Sequence, residues 1–111
     1  MFIHNATFMI EKEREQEFLK WLVARVDRLV TPPALNPRLS TMREAGGLDC
    51  QQAEAQSVAF QLEFPDFGTA SLWRADRFEP IAKEFAEHFG PNAMTFCSIF
   101  EQISDPRGES V

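Results

Sequence analysis

Seven polar or aromatic residues of this sequence lie within largely apolar stretches. They are His4, Asn5, Thr7, Gln61, Glu63, Trp73 and Glu101. Amide and hydroxyl groups set in an apolar wall orient small ligands. A carboxylate whose pKa is raised by burial can accept a proton, which makes Glu63 and Glu101 the candidate bases. We therefore predict that these residues line either a ligand cavity, with Trp73 and His4 at its mouth, or the contact between two copies of the chain.

Other chemistries lack the residues they need. A zinc site takes three or four imidazole or thiolate ligands. The chain has two histidines, His4 and His88, and two cysteines, Cys50 and Cys97, and their spacing matches no zinc-binding motif. There is no GxSxG elbow, GxGxxG turn or Walker loop. The sequence therefore predicts no metal, no cofactor and no nucleotide chemistry.

The charge balance sets limits on the partners. Seventeen acidic against eleven basic residues give a net charge of -6, which repels nucleic acid and anionic membrane surfaces. The first ten residues lack a basic region and lead into acidic Glu11 and Glu13, so no signal peptide is predicted. No apolar run approaches the ~18 residues of a membrane span. Two cysteines without a CxxC spacing are typical of a reduced, cytoplasmic protein.

Hydrophobic periodicity predicts four strands and two helices. Prolines end the first helix, Pro80 interrupts the second, and Gly90-Pro91 closes it. The predicted elements are a strand over 2–10, a helix over 11–30, a strand over 38–45, a hairpin connection from Gly46 to Gln56, a strand over 57–64, a kinked helix over 72–89 and a strand over 93–103.

The order βαββαβ predicts a ferredoxin-like α+β sandwich. Its single antiparallel sheet has the strand order 4-1-3-2, with both helices on one face and the phenylalanine-rich strand sides turned towards them. We expect residues 1–103 to form one domain and residues 104–111 to be a polar C-terminal tail.

The second face of the predicted sheet is too apolar for water. Our sequence register assigns it Ile3, Asn5, Thr7, Met9, Ala59, Gln61, Glu63, Thr95, Cys97, Ile99 and Glu101. Such a face is commonly covered by an identical one across a twofold axis, which predicts a homodimer joined sheet to sheet in an α+β barrel-type assembly. Its polar groups would then bond across the interface, because each one left unpaired costs about 1 to 3 kcal/mol.

Several short segments held in order resemble the bacterial domain-of-unknown-function family 4286. They are His4-Asn5-Ala6-Thr7, Glu17-Phe18-Leu19-Lys20-Trp21-Leu22, Gln61, Glu87-His88-Phe89-Gly90, Phe96 and Glu101. The resemblance runs from about residue 1 to 103. It implies a small ferredoxin-like domain of unassigned activity, and it supplies no catalytic residues.

Three functional interpretations follow from these observations. The first is a non-catalytic homodimeric binding module for a small apolar molecule or a protein partner. The alternative is a cofactor-independent oxygenase or isomerase, which needs a cavity of roughly 300 Å³ or more between sheet and helices, with His4, Trp73 and Glu63 in it. In a third interpretation the domain only contacts other proteins, through the hairpin from Gly46 to Gln56.

Overall fold

The computed structural model of the chain describes residues 1–43 and 55–103. Residues 44–54 lie outside the described residues, and they include most of the predicted hairpin connection from Gly46 to Gln56 on which the third interpretation rests. The predicted tail over 104–111 lies outside them as well. In chain order the elements are β1 (Phe2–Glu11), a 3-10 turn (Lys12–Arg14), α1 (Glu15–Val23), α2 (Val26–Leu29), β2 (Leu35–Thr41), β3 (Ala55–Phe64), α3 (Phe67–Trp73), a π-helical turn (Arg74–Phe78), α4 (Glu79–Phe89) and β4 (Met94–Glu101).

The four strands form one antiparallel sheet in the order β2-β3-β1-β4. This is the predicted order 4-1-3-2 counted from the opposite edge, so the predicted topology is confirmed. β1 and β3 are the central strands, and burial alternates along both of them. In each strand one set of side chains is buried in the core and the other remains partly accessible, as expected for a sheet with helices on one face only.

The first predicted helix is two helices, α1 and α2, separated at Ala24 and Arg25. In a continuous helix the Trp21 carbonyl would accept the Arg25 amide. Here the Arg25 side chain donates to that carbonyl through Nη1 at 3.0 Å, and the Arg25 amide bonds to Leu22 instead. This exchange of acceptors coincides with the break.

The second predicted helix begins earlier than its apolar stripe indicates. Asp66 caps α3, because its carboxylate accepts the Thr69 amide at 2.7 Å. The predicted irregularity at Pro80 is a π-helical turn directly before α4. A proline ring clashes with the carbonyl four residues back in a regular α-helix, and the wider π turn accommodates it.

The core lies between the sheet and the helices and is unusually aromatic. Phe8 packs at its centre with ring centroids 5.1 Å from Phe18 and 5.0 Å from Phe85. The Phe18 ring in turn lies 5.6 Å from Phe89. All four phenylalanines are buried. The helices therefore cover one face of the sheet, and no described residues form a layer over the other face.

Candidate functional site

The uncovered side of the sheet, which we call the open face, carries side chains from all four strands. Residues paired across neighbouring strands point to the same face of a sheet, so the register defines rows that cross it. From β2 to β4 the rows are Leu35, Glu63, Ile3 and Phe100; then Arg38, Gln61, Asn5 and Ser98; then Ser40, Ala59, Thr7 and Phe96; and finally Ser57, Met9 and Met94.

The second of these rows is polar across the whole sheet, and we call it the polar row: Arg38, Gln61, Asn5 and Ser98. The two amides, Asn5 and Gln61, are direct cross-strand partners on the central strands. The Asn5 amide also donates to the Thr7 hydroxyl of the next row at 3.4 Å. Three of the predicted site residues, Asn5, Thr7 and Gln61, therefore form one patch at the centre of the open face.

Apolar side chains flank the polar row on the β4 half of the open face. Met94, Phe96 and Phe100 are 51%, 51% and 57% exposed, and Ile3 and Met9 of β1 lie beside them. The cluster contradicts the expectation that the phenylalanine-rich side of the last strand faces the helices. These three β4 residues and Ser98 were missing from the predicted face.

The predicted register of the last strand was wrong by one residue. Thr95, Cys97, Ile99 and Glu101 pair with Phe8, Ala6, His4 and Phe2, so they lie on the helix side of the sheet. Cys97 and Ile99 pack against the core there. Glu101 is an exposed residue at the end of β4 and does not belong to the open face.

Glu63 lies on the open face in the first row, as predicted, next to the last residue of β3. Its carboxylate accepts a hydrogen bond from the Asn36 amide at 3.1 Å. Asn36 sits at the irregularity of β2 between Leu35 and Arg38, with a positive φ of 52° that asparagine tolerates better than most residues. A hydrogen-bonded carboxylate at the rim of the sheet is suited to holding an edge strand in place.

His4 lies beneath the helices, not on the open face. Its side chain is 1% exposed, and its ring centroid is 4.9 Å from Trp73 and 5.3 Å from Phe78. Arg74 Nε donates to His4 Nε2 at 3.0 Å, so the imidazole accepts there with a lone pair. Burial, and secondly the Arg74 charge, lower the His4 pKa to about 4. The ring is neutral at pH 7 and sealed from solvent.

Trp73 is also buried, and its indole N–H donates to the Leu29 carbonyl at 2.7 Å. It forms one wall of a surface groove of about 180 Å³, together with Thr31, Pro32, Pro33, Thr69, Leu72, Asp76 and Arg77. His4 does not line this groove. The prediction that His4, Trp73 and Glu63 line one cavity is therefore wrong. Glu63 lies on the opposite face of the sheet from the other two residues.

The seven predicted residues fall into two groups and one outlier. Asn5, Thr7, Gln61 and Glu63 share the open face, His4 and Trp73 pack together under the helices, and Glu101 stands alone. Sequence reasoning missed Arg74, which is 70 residues from the histidine it contacts.

Within residues 1–43 and 55–103, no three His, Cys, Asp or Glu side chains group closely enough to hold a metal ion. Over the same ranges no helix has the length and apolarity needed to cross a membrane.

Comparison with known proteins gives a fold and no activity. No protein-family model matches the chain, and no curated protein matches it. The resemblance to family 4286 stays a prediction. A solved structure described as "De novo designed protein Foldit4" is similar, with a TM-score of 0.59 and 12% sequence identity over 91% of this chain and 97% of the designed one. At that identity the likeness is to the fold alone.

Proposed function

We propose that this chain is a non-catalytic binding module that works as a homodimer, with the open faces of two sheets covering one another. The observation that carries the proposal is the exposure of Met94 and Phe96 on one side of the polar row and of Phe100 on the other, on a face that no described helix covers. Large apolar side chains exposed together on one face of a soluble domain mark an interaction surface.

The size of the open face fits this role. Four strands about 4.8 Å apart and eight residues long give a face of about 19 by 27 Å, or roughly 500 Å² in projection. The accessible surface of a face corrugated by side chains exceeds its projection. A stable interface buries about 800 Å² of accessible surface on each partner, which such a face approaches.

The polar row supports a second copy as the occupant. A carboxamide both donates and accepts hydrogen bonds, so the Asn5 and Gln61 side chains can bond to the same row of a twofold-related subunit. Unpaired in a covered interface, each would cost about 1 to 3 kcal/mol. Facing polar rows satisfy these groups and fix the alignment of the two sheets, while the apolar residues around them exclude water.

The same row can orient a small ligand held between the two sheets. A small apolar molecule with one hydrogen-bonding group would place that group on the Asn5 and Gln61 amides and its apolar part against Phe96 and Ile3. The enzyme alternative has less support. A catalytic His4 would have to contact the substrate, but its ring is packed between Trp73 and Phe78.

A thermal-shift screen tests the ligand-binding part of the proposal. We expect at least one molecule of an apolar metabolite panel to raise the melting temperature of the wild type, and the Asn5→Ala plus Gln61→Ala variant to lose that shift. Ser40→Ala plus Ser57→Ala is the matched control, since it removes two hydroxyls from the open face and leaves the polar row intact. An equal shift in the amide variant, or no shift in the wild type, contradicts ligand binding at this row.

A further inference from the structure

The two edges of the sheet differ in how far they are protected. The β2 edge contains Pro37 and Arg38 and has a register shift between Leu35 and Arg38. Proline, charge and irregularity are the features by which proteins block pairing at a sheet edge. β4 is eight residues long with no proline or basic residue, and no described residue pairs with its outer side. Within residues 1–43 and 55–103, the outer edge of β4 is therefore open to another strand.

The backbone register shows which groups this edge offers. The Gln102 amide donates to the Met1 carbonyl, next to the paired residues Phe2 and Glu101. In an antiparallel ladder alternate residues direct both backbone groups to the same neighbour. Even-numbered residues of β4 therefore bond to β1, and the N–H and C=O groups of Cys97, Ile99 and their odd-numbered neighbours point outward.

We propose that a second copy of the chain pairs antiparallel with this edge, so that two four-stranded sheets become one continuous sheet with its twofold axis at Ser98. In this register Cys97 lies opposite Ile99 of the partner subunit, and the outward groups of both form ladder bonds. Phe96 lies opposite Phe100 of the partner subunit in a non-hydrogen-bonded pair, the pair type with the closer approach of about 4.5 Å between Cα atoms.

Aromatic side chains facing each other in such pairs stabilise a sheet. A register centred on Cys97 would instead place Phe96 opposite the small Ser98 and would leave Glu101 opposite Ala93. The Ser98 register pairs the two exposed aromatic residues of the strand with each other, twice, across the axis. The strand is thus self-complementary about Ser98 in both its backbone groups and its rings.

This contact uses the edge of the sheet and does not depend on the proposed sheet-to-sheet contact. Its twofold axis stands perpendicular to the sheet, whereas the axis of a face-to-face pair lies in the plane between the sheets. The two contacts are compatible in a tetramer with perpendicular twofold axes. Each can also form without the other.

Disulfide crosslinking tests the edge contact. In a Cys50→Ser background, Ile99→Cys places a new thiol opposite Cys97 of the partner subunit. Hydrogen-bonded pairs are about 5.5 Å apart between Cα atoms, within the 4.4 to 6.8 Å that disulfides span. We expect mild oxidation to convert most of the protein to a disulfide-linked dimer on a non-reducing gel, with circular dichroism verifying that the variant folds.

The control adds Cys97→Ser to the same variant and should give no dimer, because the remaining thiols of the two subunits are not opposite each other. Failure to crosslink in the first variant, or equal crosslinking in the control, would overturn the proposal. Crosslinking through Cys97 without the Ile99 change would overturn the Ser98 register. A sheet-to-sheet pair cannot produce the expected result, since residues 97 and 99 are on the helix side, where they point away from the other sheet.

Discussion

Replacing Phe18 by alanine is expected to lower the free energy of unfolding by about 3 to 5 kcal/mol. Phe18 is fully buried in α1, and its ring lies within 5.6 Å, centroid to centroid, of Phe8, Phe85 and Phe89. Truncation removes buried apolar area and leaves a cavity, which the neighbouring rings, fixed on β1 and α4, cannot fill. Urea denaturation followed by circular dichroism measures the change.

Val23→Ala is the matched control on the same helix, because Val23 is 59% exposed. We expect it to change the free energy of unfolding by no more than about 0.5 kcal/mol. A loss under 1 kcal/mol for Phe18→Ala would contradict the position of α1 over the centre of the sheet.

Acidification should weaken the fold in a window set by His4. Its pKa is lowered from 6.5 to about 4 in the folded protein, so between these values the unfolded chain takes up a proton that the folded protein does not. Stability is therefore complete above pH 6.5 and falls as the pH drops to about 4, by roughly 3 kcal/mol from this group. Below that pH His4 contributes no further loss.

Two surface carboxylates titrate in a lower window. Hydrogen bonds from Arg14 and His88 lower the pKa of Glu17 to about 2, and those from Arg28 and Arg25 do the same for Glu84. Their stabilisation is present above pH 4.5 and is lost as the pH falls towards 2. The two windows separate the histidine effect from the carboxylate effect.

His4→Phe tests the assignment, since phenylalanine fits a cage made by Trp73 and Phe78 and has no proton to bind. We expect urea denaturation at pH 7 and at pH 4.5 to give a much smaller difference for this variant than for the wild type. His88→Gln retains His4 and should keep the wild-type difference. An unchanged difference in His4→Phe would show that another group causes the loss.

The topology could be read from the sequence because the central strands have unambiguous patterns. β3 alternates Val58, Phe60, Leu62 and Phe64 with smaller or polar residues, and all four of these are buried. Burial of one face fixes the register, since a shift by one residue would turn every apolar side chain to the other side. Together with the helical stripes this suffices to order the strands.

β4 could not be read in the same way, because both of its alternating sets contain apolar residues. Phe96 and Phe100 are larger than Cys97 and Ile99, and size favoured the wrong set for the helix side. The pairing of Ile3 with Phe100 and of His4 with Ile99 decides the face. That pairing is a long-range property that local hydrophobicity does not encode. It places Phe96 and Phe100 on the open face, where the sequence had predicted Cys97 and Ile99.

Only part of the environment of His4 could be read from the sequence. Its even position on β1 places it with Ala6 and Phe8 on the helix side, a signal that was present and outweighed by its polarity. Its partner Arg74 lies in the π-helical turn. Such a turn rotates the residues that follow it relative to a regular α-helix, and a period of 3.6 residues does not predict that rotation. Polar residues in the core depend on individual contacts, and these follow from the packed structure alone.

Sedimentation velocity on the wild type and on Thr7→Arg tests directly whether open faces cover one another. Thr7 is at the centre of the open face between Ala59 and Phe96, so the substitution brings like charges together across a twofold axis while the β4 edge stays unchanged. We predict that the Thr7→Arg assembly has half the mass of the wild-type assembly, whether or not the β4 edges are also paired. Equal masses for the two proteins would contradict the sheet-to-sheet contact.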